Sequence, residues 1–304
     1  MMGLLKRMGE IRNNTRQVLT MNQRNLHYIY PHNQRRHFPI ADDKLLTKAV
    51  LKDAAVTVPE TLLSYDSFYA LKTLEKELLP YGDFVIKPAR GSGGGGIVVI
   101  TRKEGDTWYS AGGTAYNVEK IKRHITDIIF GVYSFGLSDV AIIEQRIEQH
   151  PFMCKLSPLG LADVRLIIHQ DEPVLCMCRI PTQASDGKAN LHQGALGIGV
   201  DIASGVTTHA LLNDRLVVRH PDTDIKLIGN TIPFWPRVVE MSRAAAAHVP
   251  LKYLGVDISI GVHCPVLLEI NVRPGLQIQN ANQAGMRSPL EALSQATLNG
   301  VPTS

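Results

Sequence analysis

Cysteine is scarce: the 304 residues contain four, at 154, 176, 178 and 264, and no two have the C-x-x-C spacing of a zinc or redox pair. A disulfide framework is excluded, and reduced thiols are expected. Long apolar runs are missing too, since none approaches the roughly 18 residues that would span a bilayer. The leading MMGLLKRMGEIRNNTR has neither an apolar h-region nor a small-residue cleavage site, so no secretory signal is read and a cytoplasmic location is expected. What is present is ordinary for a globular protein, with 44% hydrophobic and 20% charged residues. The length allows one large or two modest domains with a self-sufficient core.

A net charge of +4 suggests polyanion binding until it is divided along the chain. Residues 1–40 carry seven Lys or Arg (Lys6, Arg7, Arg12, Arg16, Arg24, Arg35 and Arg36) against the single acid Glu10. The other 264 residues hold 25 basic and 27 acidic side chains, so the body is no nucleic-acid binder. The basic leading segment is suited to an acidic partner or to an acidic face of its own protein.

Periodicity organises the rest. Residues 3–21 read as a basic amphipathic helix, and NLHYIYPHNQRRHFPI after it reads as irregular, because Pro31 and Pro39 oppose regular helix. Asp42 or Asp43 is expected to cap a helix reaching about Ala55, with Leu45, Leu46, Ala49 and Val50 on one face. Strands are expected at 84–88, 97–101, 140–146, 254–260 and 266–271, with a two-strand hairpin over 163–180. Helices are expected near 117–130, 234–248 and 289–297.

The run ARGSGGGGIVVI contains G-x-G-x-x-G at Gly91, Gly93 and Gly96. A dinucleotide site would need a helix to begin there, but a β-branched strand follows. With Val98 the run also satisfies the kinase pattern, yet no H-R-D or D-F-G follows and the lysine precedes the loop. A plain linker is disfavoured by the β-forming residues on both sides. The remaining reading is strand, glycine loop, strand, a hairpin whose bare backbone donates amide N–H groups to phosphates. Lys87, flanked by Phe84, Val85, Ile86 and Pro88, sits in an apolar setting where an ammonium needs an anion.

A second constellation lies in GVDISIGVHCPVLLEINVRPG. Asp257 falls on one strand, while Glu269 and Asn271 on the next share a face by period-two geometry. Two carboxylates and an amide oxygen suit a hard divalent cation that completes its shell with water and nucleotide phosphates. The competing reading is a structural cluster in which Asp257 pairs with Arg273 and Glu269 with a lysine.

Taken in order, the lysine of DDK, FVIKP with its glycine loop, EQRI, DVR, NLHQG, GVDI and LLEINVRPG resemble the ATP-grasp superfamily, most closely its RimK-like, alpha-L-glutamate ligase-related branch. The resemblance covers roughly residues 40–285. It implies an α+β fold with two α+β subdomains enclosing ATP, residues 42–143 and 144–304, preceded by a basic helical arm at 1–41. It implies ATP with magnesium or manganese as cofactors. Lys44 and Lys87 would bind phosphates, and the loop of Gly91, Ser92, Gly93, Gly94, Gly95 and Gly96 would close over them. Glu144, Gln145, Arg146 and Ile147 would read adenine through backbone groups, and Asp257, Glu269 and Asn271 would hold the metal. Arg165, Arg179 and Asn190 fall where such proteins place substrate or phosphate contacts.

Departures from that pattern concern the substrate. Only 41 residues precede Asp42, Gln193 replaces an arginine after His192, and Arg273 replaces a small residue before Pro274-Gly275. The arm is therefore expected to pack on its own or a neighbouring subunit's body, anchored by Tyr28, Tyr30 and Phe38, with Arg273 facing the substrate. The implied reaction is ATP-dependent joining of a small-molecule or peptide carboxylate to an amine, glutamate being one candidate, through an acyl phosphate. A phosphotransferase and a regulatory nucleotide-binding module are the alternatives.

Overall fold

The computed structural model describes residues 16–91 and 93–298. They form an α+β chain with two sheets, one of six strands and one of seven, in which every paired strand runs antiparallel. The chain divides into two compact units, one of residues 42–45 and 58–148, the other of the described parts of 1–41, 46–57 and 149–304. Among the described residues no helix is long and apolar enough to cross a membrane.

The unit around residues 58–148 holds β1 (Thr61–Tyr65), β2 (Phe84–Pro88), β3 (Val98–Glu104), β4 (Thr107–Ser110), β5 (Ala115–Tyr116) and β6 (Ala141–Glu144), in the order β1-β6-β2-β3-β4-β5. Phe84 and Ile86 of β2 join Ile100 and Trp108 in the core, so alternation turns Val85 and Lys87 to the opposite face. The Val118–Ile129 helix is capped by Asn117, whose Oδ1 accepts the Lys120 N–H at 2.9 Å. It buries Ile121, Ile125 and Ile128, which recur at helical spacing on one stripe. Strands β1, β4 and β5 and the Leu74–Leu78 helix escape the sequence reading, because they are short and their apolar residues do not alternate over enough positions.

The larger unit holds β7 (Asp163–His169), β8 (Glu172–Ile180), β9 (Leu196–Val200), β10 (Thr207–Leu212), β11 (Arg215–Val217), β12 (Tyr253–Ile260) and β13 (Pro265–Asn271), in the order β11-β10-β9-β8-β7-β12-β13. The expected hairpin over 163–180 forms, turning at Gln170 and Asp171, both at positive φ (50° and 68°). Asn213 and Asp214 make the same two-residue turn between β10 and β11 (φ 47° and 62°), a hairpin signal that the sequence reading passed over. Strand β12 is buried along its whole length, and the Trp235–His248 helix, which buries Val238, Met241, Ala245 and Ala246, packs on β12, β7 and β8.

The leading segment departs from expectation. Residues 3–15 of the expected helix lie outside the described residues, and the chain is not helical at 18–20. Thr20 starts a new helix there through a capping box with Gln23. Residues 25–32, at the start of the stretch expected to be irregular, are helical. Met21–Arg24 runs into a π turn at Asn25–Ile29 and then Tyr30–His32. Pro31 lacks an N–H, and the wider π turn just before it accommodates the broken ladder. Pro39 sits at the second position of the Phe38–Asp42 helix, where its ring is tolerated. Asp43, not Asp42, accepts the Leu45 N–H at 2.9 Å, but the helix ends at Val50, with Leu46 and Ala49 exposed and Thr47 buried. Of the three expected anchors, Tyr28 and Phe38 are buried and Tyr30 is exposed.

Residues 16–41 dock on the body of their own unit. The Leu19 N–H and C=O exchange hydrogen bonds with the Gln279 amide (2.8 and 3.0 Å), and Asn33 donates to the Tyr253 C=O at 2.6 Å while accepting from the Lys252 and Tyr253 N–H groups. His169, fully buried, sees the Tyr28 ring edge-on at 5.3 Å and the His32 ring at 5.1 Å. Its nitrogens meet the Lys252 C=O and the Ser294 hydroxyl. Burial, with His32 adding to it, pushes the His169 imidazolium down to about 4. Below the unfolded value near 6.5 the unfolded chain takes up a proton that the folded chain refuses, so stability is present above that value and is lost as pH falls towards 4. The loss should be about 3 kcal/mol larger in the wild type than in His169→Gln, read from urea unfolding at pH 7 and pH 4.

Candidate functional site

Each unit carries its own part of the predicted constellation. In the smaller unit Lys87 is buried, and its Nζ lies 2.5 Å from an Oε of Glu144, itself buried on the neighbouring strand β6. The pair answers the cost of burying an ammonium within the strand. It also gives the Glu144 side chain a role beyond the backbone contact expected of it. Past β6 the Gln145 N–H donates to the Glu60 C=O at 2.9 Å, and Arg146 pairs with Asp83 at 2.8 Å. Ile147 is half-buried near the end of the unit.

The glycine loop is fastened at both ends. Lys44 donates through Nζ to the carbonyls of Ala89 (3.3 Å) and Gly91 (3.0 Å). The Arg90 N–H donates to the Asp139 carboxylate, and Arg90 Nε to Asp43 Oδ2 at 3.1 Å. A Cβ at Gly91 would stand 2.1 Å from Pro88 Cγ, so no larger residue fits. Gly96 has φ +73°, and a Cβ there would strike the Tyr133 ring at 2.6 Å. Its carbonyl meets His124 Nε2 at 2.9 Å. Gly93, Gly94 and Gly95 form the turn between, and Ser92 lies outside the described residues. The sequence reading missed Asp139, His124 and Tyr133, which brace this loop from 28 to 49 residues away in the chain.

In the larger unit a ladder of alternating charge crosses four adjacent strands. Arg179 on β8 grips Asp163 on β7 with both Nε and Nη2 at 2.6 Å, and Nη2 also reaches Asp257 Oδ2 at 2.7 Å. Arg165 on β7 grips Asp257 on β12 from the other side, Nε to Oδ1 at 2.7 Å and Nη2 to Oδ2 at 2.5 Å. Register makes this inevitable, since Asp257 stands directly opposite Arg165 and opposite Glu269, and Asp163 opposite Arg179. Asn271 Nδ2 lies 3.1 Å from Asp257 Oδ2 and 3.3 Å from Glu269 Oε1, closing the expected triad.

Burial alone would push the Asp257 carboxyl up, but Arg165 and Arg179 outweigh it and hold the group below the usual carboxylate range. Asp163 goes the other way, to about 6, because burial and the charge of Asp257 exceed the help of Arg179. Burial opposes the Arg179 charge, yet Asp163 and Asp257 raise its value on balance. Asp163 was not anticipated, although two-residue spacing in DVR places it on one face with Arg165.

Arg273 is turned elsewhere. Its guanidinium lies 5.1 Å from the Phe38 ring centroid, and among the described residues it makes no ion pair with Asp257. The alternative pairing of Asp257 with Arg273 is therefore replaced by Arg165 and Arg179, and that of Glu269 with a lysine by a 3.8 Å approach of Arg165. Asn190 caps the single turn Leu191–Gln193, its Oδ1 accepting the His192 N–H at 3.0 Å.

A family model described as sugar-transfer associated ATP-grasp matches residues 23–295. The chain belongs to that family. No curated relative matches it. Among solved structures, the ATP-grasp ligase PsnB, complexed with minimal precursor, Mg and ADP, is 17% identical with a TM-score of 0.46, the alignment covering 88% of this chain and 62% of that one. D-alanine–D-alanine ligase from Bacillus anthracis complexed with ATP is 13% identical with a TM-score of 0.48, covering 91% and 78%. A RimK domain ATP-grasp protein from Sphaerobacter thermophilus is 13% identical with a TM-score of 0.44, covering 85% and 70%. This chain thus spans under two thirds of the length of the PsnB structures it resembles.

The residues present fit the groups that an ATP-grasp protein would hold. At Gly91 only bare backbone can approach Pro88, which suits a loop whose amides face phosphate. Glu269 is about one-third exposed and Asn271 is partly exposed, and both are hard oxygen donors suited to magnesium. Asp257 is fully buried and already engaged by two guanidiniums, so it serves the fold. Asp257→Ala should therefore cost about 3–5 kcal/mol in chemical denaturation without any nucleotide or metal, since it strands Arg165 and takes from Arg179 one of its two carboxylates. Glu269→Gln should stay within about 1 kcal/mol of the wild type in the same measurement.

Proposed function

We propose that the protein is an ATP-dependent ligase that activates a substrate carboxylate as an acyl phosphate and passes the acyl group to an amine. The observation carrying this reading is the meeting of Asp257, Glu269 and Asn271 on paired strands, with the amide nitrogen of Asn271 within 3.3 Å of both carboxylates. The family match supports ATP as the co-substrate. The reaction class comes from the ligase motifs that the sequence resembles, from the lysine of DDK to LLEINVRPG.

The residues divide the work by their chemistry. Lys87 and Lys44 supply positive charge and the loop from Gly91 to Gly96 supplies amide donors for the nucleotide phosphates. Glu144, Gln145, Arg146 and Ile147 are assigned to the adenine side. Glu269 and Asn271, with Asp257 behind them, would hold magnesium, which when bound neutralises charge on the transferring phosphoryl group. Arg165 and Arg179 offer further donors on the same face, and Asn190 is assigned to substrate or phosphate contact. A carboxylate oxygen of the substrate attacks the γ-phosphorus and ADP leaves; the amine then attacks the acyl carbon and phosphate leaves. Orientation and electrostatics supply the acceleration, so no protein nucleophile is required.

The family's association with sugar transfer widens the substrates worth testing to uronic acids and amino sugars, alongside glutamate and other amino acids and peptides. An assay for ADP and phosphate over that panel, with mass analysis of the product, tests the reading, because mass separates ligation from phosphorylation. Glu269→Gln should lower magnesium-dependent turnover by on the order of 10²-fold while the protein stays folded. Undiminished turnover by this variant at saturating magnesium would remove Glu269 from the site.

A further inference from the structure

Between Glu10 and Asp42 the chain contains no acidic residue, and from position 16 it carries Arg16, Arg24, Arg35 and Arg36. Arg35, Arg36 and Arg16 are exposed, as a solvated basic surface would be, but Arg24 is only 6% exposed. A guanidinium removed from water normally faces a carboxylate. Among the described residues Arg24 has none: Nε and Nη2 donate to Asn25 Oδ1 and Nη1 donates to the Pro274 C=O. Three of its five N–H groups are thus met by neutral oxygens, and two remain.

The surroundings sharpen the deficit. Burial lowers the Arg24 value, Tyr253 and Tyr30 act the other way, and the nearby Arg273 guanidinium adds to the lowering, so two like charges lie within electrostatic reach with no anion to share among the described residues. Arg273 is exposed and held over the Phe38 ring. The turn that carries it, Val272 to Gly275, folds back on β12, where a Cβ at Gly255 would lie 2.7 Å from Pro274 Cβ and 3.5 Å from Asn271 Cβ. This close approach brings Pro274, which Arg24 holds, up to the strand position opposite Asn271. The hydroxyl of Tyr253, fully buried and within electrostatic reach of Arg24, has no hydrogen-bond partner among the described residues.

We propose that Arg24 and Arg273 form an oxyanion receptor beside Asn271, which holds a carboxylate or phosphate group of the substrate that is not ATP. This rests on the ligase reading for what the anion belongs to. Arg273 presents the first charge at the surface, and Arg24 is the fixed second one, set by its bond to the Pro274 carbonyl. A substrate oxyanion relieves the repulsion between the two and supplies the counter-charge that the fold omits.

The test is titration calorimetry on the full chain with saturating ADP and magnesium, so that nucleotide contacts are already filled. Inorganic phosphate and succinate are the two probes. The wild type should bind at least one of them, phosphate alone pointing to a phosphorylated substrate and succinate alone to a carboxylate. Arg273→Gln, an exposed change, should weaken binding about tenfold or more, as should Arg24→Gln, while Arg243→Gln at a distant surface pair should not. Binding of neither probe, or binding by Arg273→Gln at wild-type strength, would overturn the receptor. Because the readout is binding, an absence of turnover with probe binding intact counts against the ligase reading alone.

Discussion

A single buried carboxylate organises the larger unit. Asp257 lies at the centre of a strand with no exposed position, where an isolated charge would be prohibitively costly. Its neutralisation requires arginines on the adjoining strands at fixed register, and β7 supplies one directly opposite while β8 supplies the other one strand further on. Shifting either pairing by one residue would turn these side chains to the wrong face. The apolar residues of β12 would tolerate several registers equally well, so the charges, and not the hydrophobic pattern, select one. Once Asp257 is fixed, Glu269 and Asn271 follow from the β13 pairing and stand at the less buried end of the ladder.

The smaller unit solves a related problem differently. Lys87 is also buried, but it meets one carboxylate on a neighbouring strand, and the pair leaves the glycine loop free of bulky side chains. Rigidity is concentrated at the ends of the loop: Lys44, Asp43 and Asp139 hold the start, and His124 with Tyr133 holds the close. A phosphate-facing loop gains from such fixed ends, because amides that are already oriented need less reorganisation when charge develops against them.

Legibility in the sequence followed the range of the interactions. The strand, glycine loop, strand unit and the Glu269–Asn271 pair were readable because each is set by neighbours within a few residues. The hairpin over 163–180 was readable for the same reason. Asp163 was local too, two residues from Arg165, but its role depends on Arg179 across a strand pair, which spacing alone does not reveal. The helix at 21–32 was obscured by Pro31, whose effect a π turn absorbs, and π turns leave no pattern in apolar spacing. The braces of the glycine loop were out of reach, since tertiary packing alone brings His124 and Asp139 to it.

The leading segment shows the same logic acting on charge. Its excess of arginine reads from the sequence as a solvated helix or a handle for an acidic partner. Among the described residues the structure separates these charges by burial: three are exposed, and one, Arg24, is enclosed against the turn that follows Asn271. Burying Arg24 with no carboxylate partner among the described residues costs the free chain stability, and a core residue of similar shape would avoid that cost. Its position beside the predicted metal ligands, together with an exposed arginine stacked on Phe38, makes the deficit one that a bound anion would correct. Charge that the fold does not balance internally is thereby available for recognition, whereas the ladder around Asp257 has largely neutralised itself.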